Sequence, residues 1–232
     1  MELQDAPAAY FFKLWPKIEA NWIRIALGGG VIVVVALLVS YYSWQRDQKE
    51  INAGKALTQL TMSTPRSAPD SQQAGLFLKI AGDYPGTVAG QRAWLQGAAM
   101  LFEAGKYAEA QTEFQKFLTA HPGGFFAGQA ALGVAVSLDA QGKADLAAGA
   151  YQGVINTSSD VTVAYSAKFG LAQIDERQNK LTDAMKLYED ILRNYPNSSL
   201  ASEAGLRELE LKTKLPSAPS ANGPAPPLRP VH

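Results

Sequence analysis

Apolar and polar residues alternate along this chain in three regimes. From Ile25 to Gln45 no residue carries a charge, and the stretch IALGGGVIVVVALLVSYYSWQ is apolar on every side. From about residue 71 to 214, apolar positions recur at spacings of three and four, the period of a helix with one buried stripe. After Leu215 the chain reads PSAPSANGPAPPLRPVH, with too few large apolar residues to build a core, so an extended, disordered tail is expected.

The middle regime repeats itself. Gly105-Lys106 returns as Gly142-Lys143 after 37 residues, and Asn179-Lys180 follows after another 37. Alanine recurs at Ala110, Ala147 and Ala184, and an aromatic ring at Phe114, Tyr151 and Tyr188. Apolar pairs recur as Phe117-Leu118, Val154-Ile155 and Ile191-Leu192, and chain breakers as Pro122, Ser159 and Pro196. One step back from Phe114 and Pro122 lie Phe77 and Pro85. Several columns share one period without insertion, the mark of a stacked repeat.

Each unit reads as two helices. Trp94, Ala98 and Leu101 make the stripe of the first, and Ala110, Phe114, Phe117 and Leu118 that of the second. Glycine or asparagine between them supplies the left-handed backbone that ends a helix. Proline closes the second helix, because it cannot extend the hydrogen-bond ladder. One hairpin cannot bury its own apolar face, and a stack can.

The spacing resembles the tetratricopeptide repeat. Its large, small, glycine, alanine, aromatic and proline places are filled by Trp94, Ala98, Gly105, Ala110, Phe114 and Pro122. The second unit keeps Ala135, Gly142, Ala147 and Tyr151, with Ser159 in the proline place. The third keeps Ala172, Ala184, Tyr188 and Pro196, with Asn179 in the glycine place. The usual unit has about 34 residues. The three extra ones follow each breaker (Phe125–Ala127 and counterparts) and are expected to lengthen the next helix by a turn. The resemblance covers roughly residues 71–214 and implies an all-α solenoid of helix hairpins. Residues 46–62 read as helical, TPRSAP at 64–69 as a break, and 199–214 as a capping helix.

The uncharged stretch is long enough to cross a hydrocarbon core of roughly 30 Å. Trp22 stands before it, and Tyr41, Tyr42 and Trp44 at its far end, where ring side chains favour the two interfaces. The charged leader running to Arg24 is long for a signal peptide, and SYYSWQRDQ lacks small residues at cleavage spacing. An uncleaved anchor is therefore expected. Ala26 and Gly30, beside Gly28 and Gly29, suit close helix contact. Lys13, Lys17 and Arg24 precede the span and Arg46, Lys49 and Lys55 follow it, so the positive-charge balance does not set orientation. The short N-terminal end is the easier one to leave inside. The expected plan is a tail over 1–22, a transmembrane helix over 23–44, a repeat domain over 45–214 and a Pro-rich tail over 215–232.

Composition narrows the chemistry. The formal net charge is zero, and residues 70–214 hold thirteen Lys+Arg against sixteen Asp+Glu, a poor match to a phosphate backbone. Cysteine is absent, which removes disulfides, thiolate metal sites, thiol nucleophiles and cysteine lipidation. His121 and His232 are the only histidines. The first shares the breaker place with Tyr84 and Tyr195 and reads as a turn-packing residue. Acidic neighbours such as Asp175-Glu176 and Glu189-Asp190 point in different directions on a helix and read as solvated faces. No nucleophile, base and orienting group converge, so a non-enzyme is expected, with no cofactor, metal, nucleic acid or small-molecule substrate.

In this repeat architecture the first helix of each unit lines a concave face. Carried across in register, that face presents Arg92, Leu95, Phe102 and Glu103, then Gln129, Leu132, Val136 and Asp139, then Phe169, Gln173, Glu176 and Arg177. Phe102 and Phe169 are the expected contact residues, and Leu95 and Leu132 pack between repeats as readily as they face a partner. The family's chaperone-tail binders hold a terminal carboxylate with lysines and asparagines here. The matching places carry Leu95, Leu132 and Phe169, then Ala99, Val136 and Gln173, so that clamp is missing. One anchor followed by such hairpins resembles the ancillary subunits of the bacterial Sec translocon. That resemblance implies an inner-membrane scaffold with a cytoplasmic N-terminus and a periplasmic repeat domain that meets chaperones or client chains. The alternative is a scaffold of outer-membrane assembly or of cell-wall synthesis and division.

Overall fold

The computed structural model describes residues 6–63 and 71–214. All of its regular structure there is helical: α1 (Ala6–Ser63), α2 (Ser71–Asp83), α3 (Val88–Glu103), α4 (Tyr107–Ala120), α5 (Ala127–Ala140), α6 (Ala144–Thr157), α7 (Val161–Arg177), α8 (Leu181–Asn194) and α9 (Ser199–Lys214). The chain divides into two compact units, Met1–Ala56 and Leu57–His232. The break expected at 64–69 and the tail expected at 215–232 lie outside the described residues.

The first unit is the greater part of α1. Its apolar stretch is exposed all round, from Leu27 through Val39 to Trp44, so no stripe marks a packing side. From Trp22 onward the helix is long and apolar enough to cross a membrane, by length and composition.

In the second unit the starts of alternate helices keep the 37-residue period. Helices α4, α6 and α8 begin at Tyr107, Ala144 and Leu181 and each has 14 residues. The junction ahead of each is a left-handed residue: Gly105 (φ 76°), Gly142 (φ 74°) and Asn179 (φ 60°). There the N–H of Lys106, Lys143 and Lys180 reaches back to the carbonyl of Leu101, Leu138 and Asp175. That six-to-one bond closes a helix whose last carbonyls would otherwise lack donors. The same lysines are the N-terminal flanks of the helices that follow.

The helices that follow each breaker are less uniform. Thr87 caps α3 through the Gly90 N–H, Asp160 caps α7 through the N–H groups of Thr162 and Val163, and the Ser198 hydroxyl oxygen accepts from the Ala201 N–H. Gly124 stands in the register place of Thr87 and Ser198 and has no side chain to offer. Helix α5 accordingly starts only at Ala127, after an uncapped Phe126. The expected extra turn is thus present in α3 and α7, with 16 and 17 residues, and absent from α5, with 14.

Each helix packs on its neighbour in sequence from α2 to α9. In addition α3 touches α5, α5 touches α7 and α7 touches α9, whereas none of α2, α4, α6 and α8 touches the next of its set. The odd-numbered helices are therefore the inner layer of a curved stack. Aromatic rings from the outer layer fill the joints. A Cβ on Gly133 would stand 2.6 Å from the Phe114 ring, and one on Gly170 would stand 2.5 Å from the Tyr151 ring. These glycines are one period apart and let each ring lie on the next repeat's backbone.

Candidate functional site

The inner layer has an open side. On α3 the buried positions are Ala89, Gly90, Ala93, Gly97, Ala98 and Leu101. Arg92, Leu95, Phe102 and Glu103 lie on the opposite side of the same helix, at spacings of three, seven and one. Arg92 and Glu103 are exposed, and Leu95 and Phe102 are half-buried against the core edge. The Phe102 ring lies 5.0 Å from that of Tyr107. On α5, Gln129 is exposed, while Leu132, Val136 and Asp139 are half-buried. Leu132 and Val136 pack on the same core as Leu95.

On α7 the structure departs from the expected face. Phe169 is buried at 8 % exposure, with its ring 5.5 Å from Tyr188 in an edge contact. It belongs to the core between α7, α8 and α9 and is not open to a partner. Phe169 keeps the register of Leu95 and Leu132, which are half-buried, but here the residue packs into the second core against the Tyr188 ring of α8. Gln173 and Glu176 are half-buried and Arg177 is exposed.

Two polar members of the stripe, Asp139 and Arg177, are tied to each other. An Arg177 Nη donates to the Asp139 carboxylate, joining α7 to α5 one repeat earlier. The Tyr188 hydroxyl donates to Glu176. That bond and burial push the Tyr188 phenol well above its usual range, burial being the larger cause. Burial likewise pushes Tyr151 up to about 12, with Asp139 adding to it and Arg177 opposing it. These groups brace the groove floor. Half exposed, the Arg177–Asp139 pair is worth roughly 0–1 kcal/mol and serves registry between repeats more than stability.

Two acidic neighbours read as solvated are not so. Asp175 is buried at 9 % exposure and Glu176 is held by Tyr188. His121 does pack in the turn, 4.9 Å from the Phe117 ring and 6.2 Å from that of Trp94. Trp94 in turn donates its indole N–H to Glu113 at 3.0 Å. The sequence reading missed Phe125, which is 90 % exposed in the turn before α5. The glycine in the cap place was the signal that could have shown it. Among the described residues no group of three or more His, Asp or Glu could hold a metal ion.

Family models agree with this geometry. One described as a tetratricopeptide repeat-like domain matches residues 14–123, beginning ahead of the apolar stretch. Two described as tetratricopeptide repeat match residues 95–161 and 166–198. The chain carries tetratricopeptide repeat-like domains. No curated protein matches it. Repeats of this kind are typically non-catalytic scaffolds on which proteins meet, so proteins are the partners these repeats imply.

Proposed function

We propose that this chain is a single-pass scaffold of the bacterial inner membrane, anchored by the apolar part of α1. Its tetratricopeptide groove holds a protein partner on the periplasmic side, and its N-terminus stays in the cytoplasm. The carrying observation is a helix with no packing side in the same chain as a curved stack whose inner face is open. A helix apolar all round is at home in lipid, where every backbone group is bonded within the helix. Tethering raises the local concentration of whatever the groove holds, so each contact can be weak. The architecture resembles the ancillary translocon subunits, and chaperones or emerging client chains are the partners this reading assigns to the groove.

The test is affinity purification in mild detergent after crosslinking in intact membranes. The native chain is compared with an Arg92→Ala/Phe102→Ala form and with the anchor fused to an inert domain. Translocon subunits that follow the anchor, with chaperones or clients that follow only the intact groove, support the reading. Recovery of outer-membrane assembly or cell-wall factors alone overturns the translocon assignment and leaves a scaffold of that machinery.

A further inference from the structure

We propose that a notch where the inner face of α3 meets the turn before α5 takes one kind of peptide feature. That feature is a large apolar side chain next to a carboxylate, on an extended segment of a partner protein. The proposal rests on the groove reading above and names what the groove prefers. The notch has a volume of about 560 Å³ and is walled by Val88, Arg92, His121, Phe125 and Phe126.

Its charge is one-sided. None of the described residues lining it is acidic. The Arg92 guanidinium lies 5.8 Å from the centre of the Phe126 ring and makes no ion pair among the described residues. Most cations elsewhere in the repeats that could reach a carboxylate do so, as Lys168 does with Asp190 and Arg177 with Asp139. A guanidinium laid on a ring keeps its donor fork outward and loses little freedom when a carboxylate docks on it. The fork and a carboxylate match in plane and spacing.

The apolar half is open to solvent. Phe125 meets the Phe126 ring edge-on at 5.0 Å and otherwise faces solvent, and Val88 beside it is 51 % exposed. Among the described residues no large apolar side chain is more exposed than that of Phe125. In register the Phe125 place holds Val88 one repeat earlier and Thr162 one repeat later, and the Arg92 place passes to Gln129 and Ser166. The combination occurs in one repeat alone and is not something the stack needs. An apolar side chain seated between Val88 and Phe125 would bury both, and the residue beside it would bring its carboxylate onto Arg92.

The experiment uses the full chain in lipid nanodiscs and selection from a display library of random short linear peptides. The native chain is expected to enrich peptides pairing a large apolar residue with Asp or Glu. A synthetic peptide from that set should bind the Arg92→Gln form about tenfold more weakly, in line with loss of one charge-assisted fork. Its Asn or Gln analogue should bind both forms alike, and Phe125→Ser should weaken both peptides. Both side chains are exposed, so the melting curves of the variants should overlay that of the native chain. Enriched peptides that bind Arg92→Gln and Phe125→Ser as tightly as the native chain overturn the notch. If those peptides depend on Phe102 and Leu132 instead, the groove reading stands without it. If the native chain enriches no peptide, both fall.

Discussion

Asp175 occupies a column held by leucine in the two repeats before it. One period back stands Leu138, and one period before that Leu101, both in the core. The Asp175 carboxyl is pushed up from its usual value chiefly by burial, with Lys180 opposing and Asp183 adding. Its place in the last turn of α7 also sets an anion near the negative end of the helix dipole. A raised carboxyl favours the protonated folded state. The stability it contributes is whole below the unfolded carboxyl value of about 4 and is lost as pH rises through its higher folded value. Asp175→Leu is therefore expected to stabilise the repeat unit at neutral pH by about 1–2 kcal/mol. The difference between native and Asp175→Asn urea midpoints should shrink as pH falls from neutrality toward about 4. A difference that stays constant over that range would exclude a titrating Asp175. Beside it in register, Met100 and Ile174 flank the buried Ser137, whose hydroxyl has no partner among the described residues. The columns of the repeat were legible at this scale because they hold large, small or apolar residues at fixed steps. What was not legible is where one column admits a polar residue, since a lone Asp in a helical pattern reads equally well as surface.

Helix by helix, spacing alone located the outer layer, and the left-handed junctions followed from Gly105, Gly142 and Asn179. The inner layer was harder, because its faces are shared between two neighbours. Helix α7 shows why: Val163, Ala167 and Ile174 join the core running back to α2, while Phe169 and Ala172 join the core of α8 and α9. A single apolar stripe cannot express two partners, so Phe169 read as a groove residue. Helix α7 lies tight against α6 at Gly170. Gly170→Ala is expected to destabilise by about 1–3 kcal/mol through overlap with the Tyr151 ring, outweighing a helix-propensity gain near 1 kcal/mol. Gly153→Ala on α6 meets nothing within 4 Å and should show the gain alone. Thermal melts of the two variants moving in the same direction would contradict this packing. Because the cores are distinct, Ile191→Ala is expected to loosen α8 and α9 at a cost of about 2–5 kcal/mol while α3 to α5 stay protected. Amide hydrogen exchange resolved by helix checks it, and uniform loss of protection would mean a single cooperative core.

Across the whole molecule, the decisive contrast is between a helix with no inside and a stack with a carefully divided one. The first was evident from 21 uncharged residues in a row, Ile25 to Gln45. Its orientation was not, because three basic residues stand on each side and the usual asymmetry cancels. The proposed arrangement therefore rests on chain economy: the lesser segment stays in the cytoplasm and the repeat unit crosses. The absence of cysteine makes this directly measurable, since any thiol introduced is the only one present. Ser202 is exposed on α9, and Glu2 lies ahead of the span. With the chain in spheroplasts, Ser202→Cys is expected to react with a membrane-impermeant maleimide before lysis, and Glu2→Cys only after it. The reverse pattern would put the groove in the cytoplasm, where periplasmic chaperones and clients never meet it, and the scaffold would have to serve chains before they cross. Reaction of both thiols before lysis would mean that the apolar helix does not span at all. Its exposed Leu, Val and Trp side chains would then need a protein surface to cover them, which a membrane otherwise provides.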